Sequence, residues 1–293
     1  MNWLIIQEAG RHAENAQFRE SLCVQQAFAR EGHESHCFGP GQVHTSPHAL
    51  GYLLDWCDAI LFLENYDESG WTPNLHDIKK PKLFWSIDGH CARKQHIQLC
   101  RRNRFDIVLN SCYSCVAPMA YYCSLSTWFP NCYPSDLVNC GRDIRKIDFG
   151  YCGSLGPLTR SILLERLASH SGLHLDINVL GQSMVSALQN YIISFNRNIG
   201  DDINYRTFES MGAGAMLITN ETSGLQKLFR DGEHLVLYDN FDDCIEKVHY
   251  YINHPEERQA IATAGTMRVQ QEHTYDNRVR RMCELCELVK EVL

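Results

Sequence analysis

No apolar run in the 293-residue chain approaches the roughly 18 residues that a bilayer-spanning helix needs. The opening, Met1-Asn-Trp-Leu-Ile-Ile-Gln-Glu8, is too short and too uncharged at its start for an export signal. Neither a membrane span nor secretion is therefore expected, and the chain reads as cytoplasmic. Basic charge is scarce: the net charge is −8 and the densest cluster is Arg101-Arg102-Asn103-Arg104. That leaves no chain-wide electrostatic footprint for duplex nucleic acid. No Asp-x-Asp pair follows a strand-like run, and Asp201-Asp202 and Asp242-Asp243 lack the spacing to clamp a metal. No cofactor and no metal are expected. Internal repeats and low-complexity segments are also lacking, which excludes solenoid and disordered classes.

Cysteine, by contrast, is abundant at 14 residues. Without an export signal the expected state is reduced thiol. Two CxxC pairs occur, Cys112-Tyr-Ser-Cys115 and Cys283-Glu-Leu-Cys286. A structural zinc site needs four ligands, commonly as two close pairs. The second pair falls in a helix-like C-terminal segment, where three-residue spacing marks one face. Small buried thiols are the simpler reading.

The length suits two domains, each able to bury its own core. Strand-like runs at Trp3–Ile6, Asp58–Leu63, Lys82–Ile87 and Phe105–Leu109 alternate with helical stretches, the first at about Asn15–Arg30. Such alternation predicts a parallel α/β sheet, which binds ligands at the carboxyl ends of its strands. Asp88 and His90 stand directly after one of these strands. A polar segment from Pro130 to Asp148 divides the chain. Beyond it come a strand at Ile147–Cys152 leading into Gly153-Ser154, a helix at Thr159–Ser169 and a strand at His174–Leu180 ending in a turn at Gly181. A helix around 206–212, a strand at 215–219 and helices at 242–253 and 255–271 follow.

The most informative stretch is Asn204-Tyr-Arg-Thr-Phe-Glu-Ser-Met-Gly-Ala-Gly-Ala-Met-Leu-Ile-Thr-Asn220. Arg206 and Glu209 are three apart, so both lie on one face of a helix's first turns. A helix N-terminus with an Arg suits an anion, and a Glu accepts from a pair of hydroxyls. A nucleotide-sugar has both features.

This stretch resembles the C-terminal domain of GT-B glycosyltransferases, most nearly the CgeB-like spore-maturation group. The likeness continues through Gly224-Leu225, Asp231-Gly232-Glu233-His234, His254-Pro255, Gly265 and His273-Thr274-Tyr275. It implies two Rossmann-like parallel-sheet domains facing across a cleft: an acceptor-side domain over 1–140 and a donor-binding domain over 146–275. A last helix over 276–293 would pack back on the first domain. By the same resemblance Glu209 bridges the ribose hydroxyls, and Asp201, eight residues earlier, sits near the transferred sugar. Arg206 and Arg160 meet the diphosphate, with Gly153, Ser154, Asn204 and Gly212 completing the donor site. From their place after a strand, Asp88 and His90 are the candidate general bases: His90 first, with Asp88 orienting it or acting itself.

The activity so implied is metal-independent sugar transfer from a nucleotide-sugar, a UDP-sugar first, to an acceptor hydroxyl. The acceptor is open: a glycan, a small molecule, a protein or a modified DNA base. The alternatives are a glycosyltransferase dedicated to modified DNA bases and a non-catalytic sugar-nucleotide binder.

Overall fold

The computed structural model describes residues 1–65, 70–141 and 144–290. They form two compact units, one of residues 1–130 with the chain from Tyr275 on, the other of Asn131–Thr274. Arg142 and Asp143, inside the polar dividing segment, and residues 291–293, at the end of the expected last helix, lie outside the described residues.

The first unit is built on β1 (Asn2–Ile6), β2 (Glu34–Phe38), β3 (Ala59–Leu63), β4 (Lys82–Ser86), β5 (Ile107–Asn110) and β6 (Leu125–Trp128). All pair in parallel, in the order β2-β1-β3-β4-β5-β6. β3, β4 and β5 are buried at every residue, as a parallel sheet covered on both faces requires. The four strands expected from the apolar runs are present, displaced by at most two residues. The helices are α1 (Glu20–Arg30), α2 (Pro47–Trp56), α3 (Gly89–Asn103) and the single turn α4 (Val116–Met119).

The helix expected from Asn15 is shorter than its periodicity suggested. A 3-10 turn over Ala13–Phe18 precedes it, and α1 starts only at Glu20 because Arg19 is extended, with ψ at 135°. The Arg19 guanidinium is held there by Glu8 and by Glu20, the latter at 2.6 Å.

The second unit runs β7 (Ile147–Gly153), α5 (Leu158–Ser171), β8 (His174–Ile177), α6 (Gly181–Asn190), β9 (Tyr191–Phe195), α7 (Tyr205–Gly212) and β10 (Met216–Asn220). Then come α8 (Leu225–Leu228), β11 (Val236–Tyr238), α9 (Phe241–Asn253) and α10 (Pro255–Glu272). The sheet is again parallel, ordered β11-β10-β9-β7-β8. Gly181 does not close a turn after a long strand. It opens α6, and β8 stops at Ile177 where Asn178 takes a positive φ of 55°. β9, unmarked by any turn signal, is the middle strand. Its Tyr191 ring passes over Gly150, where a Cβ would overlap the ring, and the hydroxyl donates to Asp176 on β8. A last helix, α11 (Tyr275–Lys290), completes the first unit against α1. Arg30 pairs with Asp276 at 2.6 Å, and Arg280 with Glu31 at 2.7 Å.

Candidate functional site

In the second unit the chain leaves β7 to one side for β8, then returns to the other side of β7 as β9. The loops leaving those two strands diverge, and open α/β sheets bind ligands outside the carboxyl ends at such a point. β7 ends at Gly153 and runs into Ser154-Leu155-Gly156. The Ser154 hydroxyl accepts from Arg160 Nη2 at 2.8 Å, and the Leu155 carbonyl from its Nε at 3.1 Å. Gly156, at a φ of +62°, leaves the room that the Arg160 guanidinium occupies. Backbone and Arg are thus folded into one small turn.

After β9 comes Asn196-Arg-Asn198, leading to α7. Asn204 is the N-cap, its Oδ1 accepting from Thr207 N at 3.3 Å. The same side chain is tied to Asn196, which also donates to Thr207 Oγ1 at 3.1 Å. Asn198 accepts from the Thr207 hydroxyl at 3.2 Å, and its backbone N–H donates to Asn220 Oδ1 at 2.8 Å. Four carboxamides and Thr207 therefore brace the start of α7 against the ends of β9 and β10. From within the helix Ser210 accepts from Ser194 of β9 at 2.8 Å. A satisfied buried network of this kind holds a single geometry.

On this braced turn Arg206 Nη1 stands 2.9 Å from Glu209 Oε2. Glu209 is 8% exposed, and Nη1 is buried without an aligned hydrogen bond. Burial opposes charge on Arg206. The Glu209 carboxylate, helped by Cys152, Tyr151 and Tyr191, outweighs it and holds the guanidinium pKa above its ordinary value. The pair is an ion pair inside the protein, with hydrogen-bonding capacity left on both partners. Asp201 is half-buried in the turn before α7, beside a buried Asp202, so this turn is not simply solvated.

Two of the residues expected at the donor site have other work. Asn204 spends its carboxamide on the cap and the network. Gly212 is buried where a Cβ would overlap the Tyr133 ring, so tight packing already accounts for a glycine there. The bracing residues Asn196, Asn198 and Asn220 escaped sequence reasoning. Their only local signal is a pair of asparagines directly after a buried run.

In the first unit the topological reversal falls between β1 and β3. Asp88 is the N-cap position of α3, but its side chain makes no capping bond. Its backbone N–H, at 2.6 Å, and that of Ile87, at 3.0 Å, both donate to Glu64 Oε2. The same oxygen lies 3.2 Å from His96 Nε2, and His96 Nδ1 lies 2.7 Å from Ser86 Oγ. Burial first, and the Glu64 carboxylate second, push Asp88 up to about 6. His90 approaches Cys112 Sγ at 3.7 Å. Among the described residues no hydrogen bond joins the Asp88 and His90 side chains; the Glu64 carboxylate lies against the Asp88 backbone, and Cys112 lies beside His90. Glu64 and His96, which the sequence did not single out, complete the acid cluster.

Residues 160–284 match the family described as glycosyl transferase-like. No curated protein matches the chain significantly in sequence. Among solved structures it is similar to Anabaena HepE in complex with UDP, at 11% identity and a TM-score of 0.70 over 98% of this chain and 100% of that one. It is similar to sucrose-phosphate synthase from Thermosynechococcus elongatus, at 11% identity and a TM-score of 0.68 over 100% of both chains. An alpha-glucosyltransferase in complex with UDP and a 13-mer DNA containing an HMU base aligns at 11% identity and a TM-score of 0.68, over 98% of this chain and 99% of that one. Identities this low speak for fold. The chain has the GT-B glycosyltransferase fold, and its residues 160–284 carry the glycosyl transferase-like sequence.

Proposed function

We propose that the protein transfers a sugar from a UDP-sugar to an acceptor hydroxyl without a metal ion. The observation that carries this reading is the braced, buried Arg206–Glu209 pair at the reversal of the second sheet. Glu209 accepts from the two ribose hydroxyls, and Arg206 donates to the diphosphate. Arg160, Gly153 and Ser154 form the second wall of the anion site, and Asp201 lies toward the transferred sugar. Asn204 and Gly212 become positioning residues. Charge building on the departing diphosphate is met by two guanidiniums and the N-terminus of α7. We assign the acceptor's general base to Asp88, whose acidity near neutrality suits proton removal, with His90 beside it. UDP in the HepE and alpha-glucosyltransferase structures supports uracil as the base of the donor. Support for the CgeB-like group comes from the Asn204–Tyr275 motif order.

Calorimetry with UDP, GDP and dTDP, with and without magnesium, on wild type and Glu209→Ala, tests the donor half. UDP is expected to bind equally with or without the metal, and Glu209→Ala to abolish the heat. Binding of no nucleotide, or an unchanged Glu209 variant, would overturn the assignment.

A further inference from the structure

Helix α3 begins at Gly89 beside Asp88 and runs 15 residues, about 22 Å. It carries the densest positive charge of an acidic chain. Arg93, Lys94, Arg101 and Arg102, with Arg104 at its left-handed C-cap, are all exposed. No acidic residue intervenes between Asp88 and Asp106. At 100° per residue, Arg93, Lys94 and Arg101 fall within about a third of the helix circumference. A helix C-terminus favours cations in its last turn, which accounts for Arg101 and Arg102. It does not account for Arg93 and Lys94, which lie beyond the first turn and well before the last.

Aromatic rings flank the same helix. The Arg101 guanidinium lies 5.1 Å above the Tyr122 ring, and the neighbouring Tyr121 is 87% exposed. Arg93 Nη2 reaches Cys115 Sγ at 3.6 Å, at the end of the 3-10 turn that starts with Tyr113. Tyr113 is 40% exposed and is propped edge-on by Trp128. Two of the cations, Arg93 and Arg101, therefore lie against the two 3-10 turns that carry Tyr113 and Tyr121. Cations alone fit any polyanion. Exposed rings beside them fit a phosphate chain that also carries flat bases, the pattern by which proteins hold single strands.

We propose that the α3 surface of the first unit docks a single-stranded nucleic acid along Arg93, Lys94 and Arg101, its bases stacking on Tyr113 and Tyr121. Arg93 and Arg101 are about 12 Å apart along the axis, roughly two phosphate steps of an extended strand. The α3 N-terminus lies beside Asp88, so the strand would be led toward the proposed general base. Calling that strand the acceptor rests on the transferase reading above; the binding does not.

The test is fluorescence anisotropy of a labelled oligo-dT 12-mer with the whole chain, from 30 to 200 mM salt. Unlabelled 12-bp duplex and heparin serve as competitors. Three neutralised phosphates predict a log–log salt slope of about −2. Arg93→Ala/Lys94→Ala/Arg101→Ala should weaken binding at least tenfold, and Tyr121→Ala several-fold, with circular dichroism unchanged for both. UDP calorimetry on the same triple variant should be unaltered. No salt-sensitive binding, or binding unmoved by the triple variant, would overturn the docking surface. Heparin or duplex competing as well as unlabelled oligo-dT would overturn the single-strand assignment. Loss of UDP binding in Glu209→Ala with oligo-dT binding retained would support both readings as independent.

Discussion

The two units carry the same topology and solve different problems at the point where their sheets reverse. In the second, the residues that brace the reversal are neutral: asparagines and threonine hold a helix that displays one ion pair. In the first, the corresponding region gathers the ionisable side chains of Glu64, Asp88, His90 and His96, and burial with the Glu64 carboxylate raises Asp88 to about 6. One site is braced by neutral groups, and the other is a cluster of ionisable ones. A neutral network keeps its geometry across a wide pH range, whereas a cluster of acids shifts its own proton affinities as each member ionises.

The sharpest break in this contrast is at Asp88. Asp88→Asn is expected to lower transfer by 10²–10⁴-fold while leaving UDP affinity unchanged, in paired turnover and calorimetry measurements. In wild type, transfer should rise through pH 6 as the carboxylate loses its proton, and nucleotide affinity should not follow that rise. The linkage sign gives a second readout on the same variant. A carboxyl whose folded pKa is raised favours the folded state below its unfolded value, and that contribution is lost as pH climbs through about 6. Asp88→Asn should therefore be more stable than wild type at pH 8, by about 1–2 kcal/mol after solvent screening, and not at pH 4. Equal denaturation midpoints at both pH values would remove Asp88 from the buried acid cluster.

Arg206→Ala should come next. It leaves the Glu209 carboxylate buried without its counter-charge, at about 3 kcal/mol of stability, and should weaken UDP by about 100-fold. Asn198→Ala tests the brace alone: about 2 kcal/mol lost in urea unfolding, and UDP weakened about tenfold although Asn198 is assigned no contact with it. If stability falls and affinity does not, the network supports the fold and not the site. The smallest expected effect is from Glu64→Gln. Removing that charge lowers the Asp88 pKa, so the acid limb of the transfer profile should move to lower pH by less than one unit, burial being the larger cause.

What the sequence made legible follows the same division. Arg206 and Glu209 were visible because a helix places residues three apart on one face, so spacing alone predicts their contact. β3 and β4 were visible as bounded apolar runs. Glu64 and His96 were not, because 32 residues of chain separate two side chains that meet only once β3 and α3 are in place. β9 escaped for a related reason. Its Tyr-Ile-Ile-Ser-Phe run follows α6 directly, with no glycine or proline to mark a boundary. Asn204 and Gly212 show the opposite limit. Their positions in the motif suggested ligand contact, and a helix cap and the Tyr133 ring by themselves account for these residue types.

Gly150 and Tyr191 carry a consequence for how such a chain can diverge. The ring occupies the volume of the missing Cβ and reaches across β7 to Asp176. The order of change is constrained: a side chain at 150 collides while the ring remains, whereas a smaller residue at 191 leaves a cavity beside Gly150 and leaves the partly exposed Asp176 its 3.3 Å contact with His174. A descendant of this chain should therefore gain a side chain at 150 only once Tyr191 has been replaced.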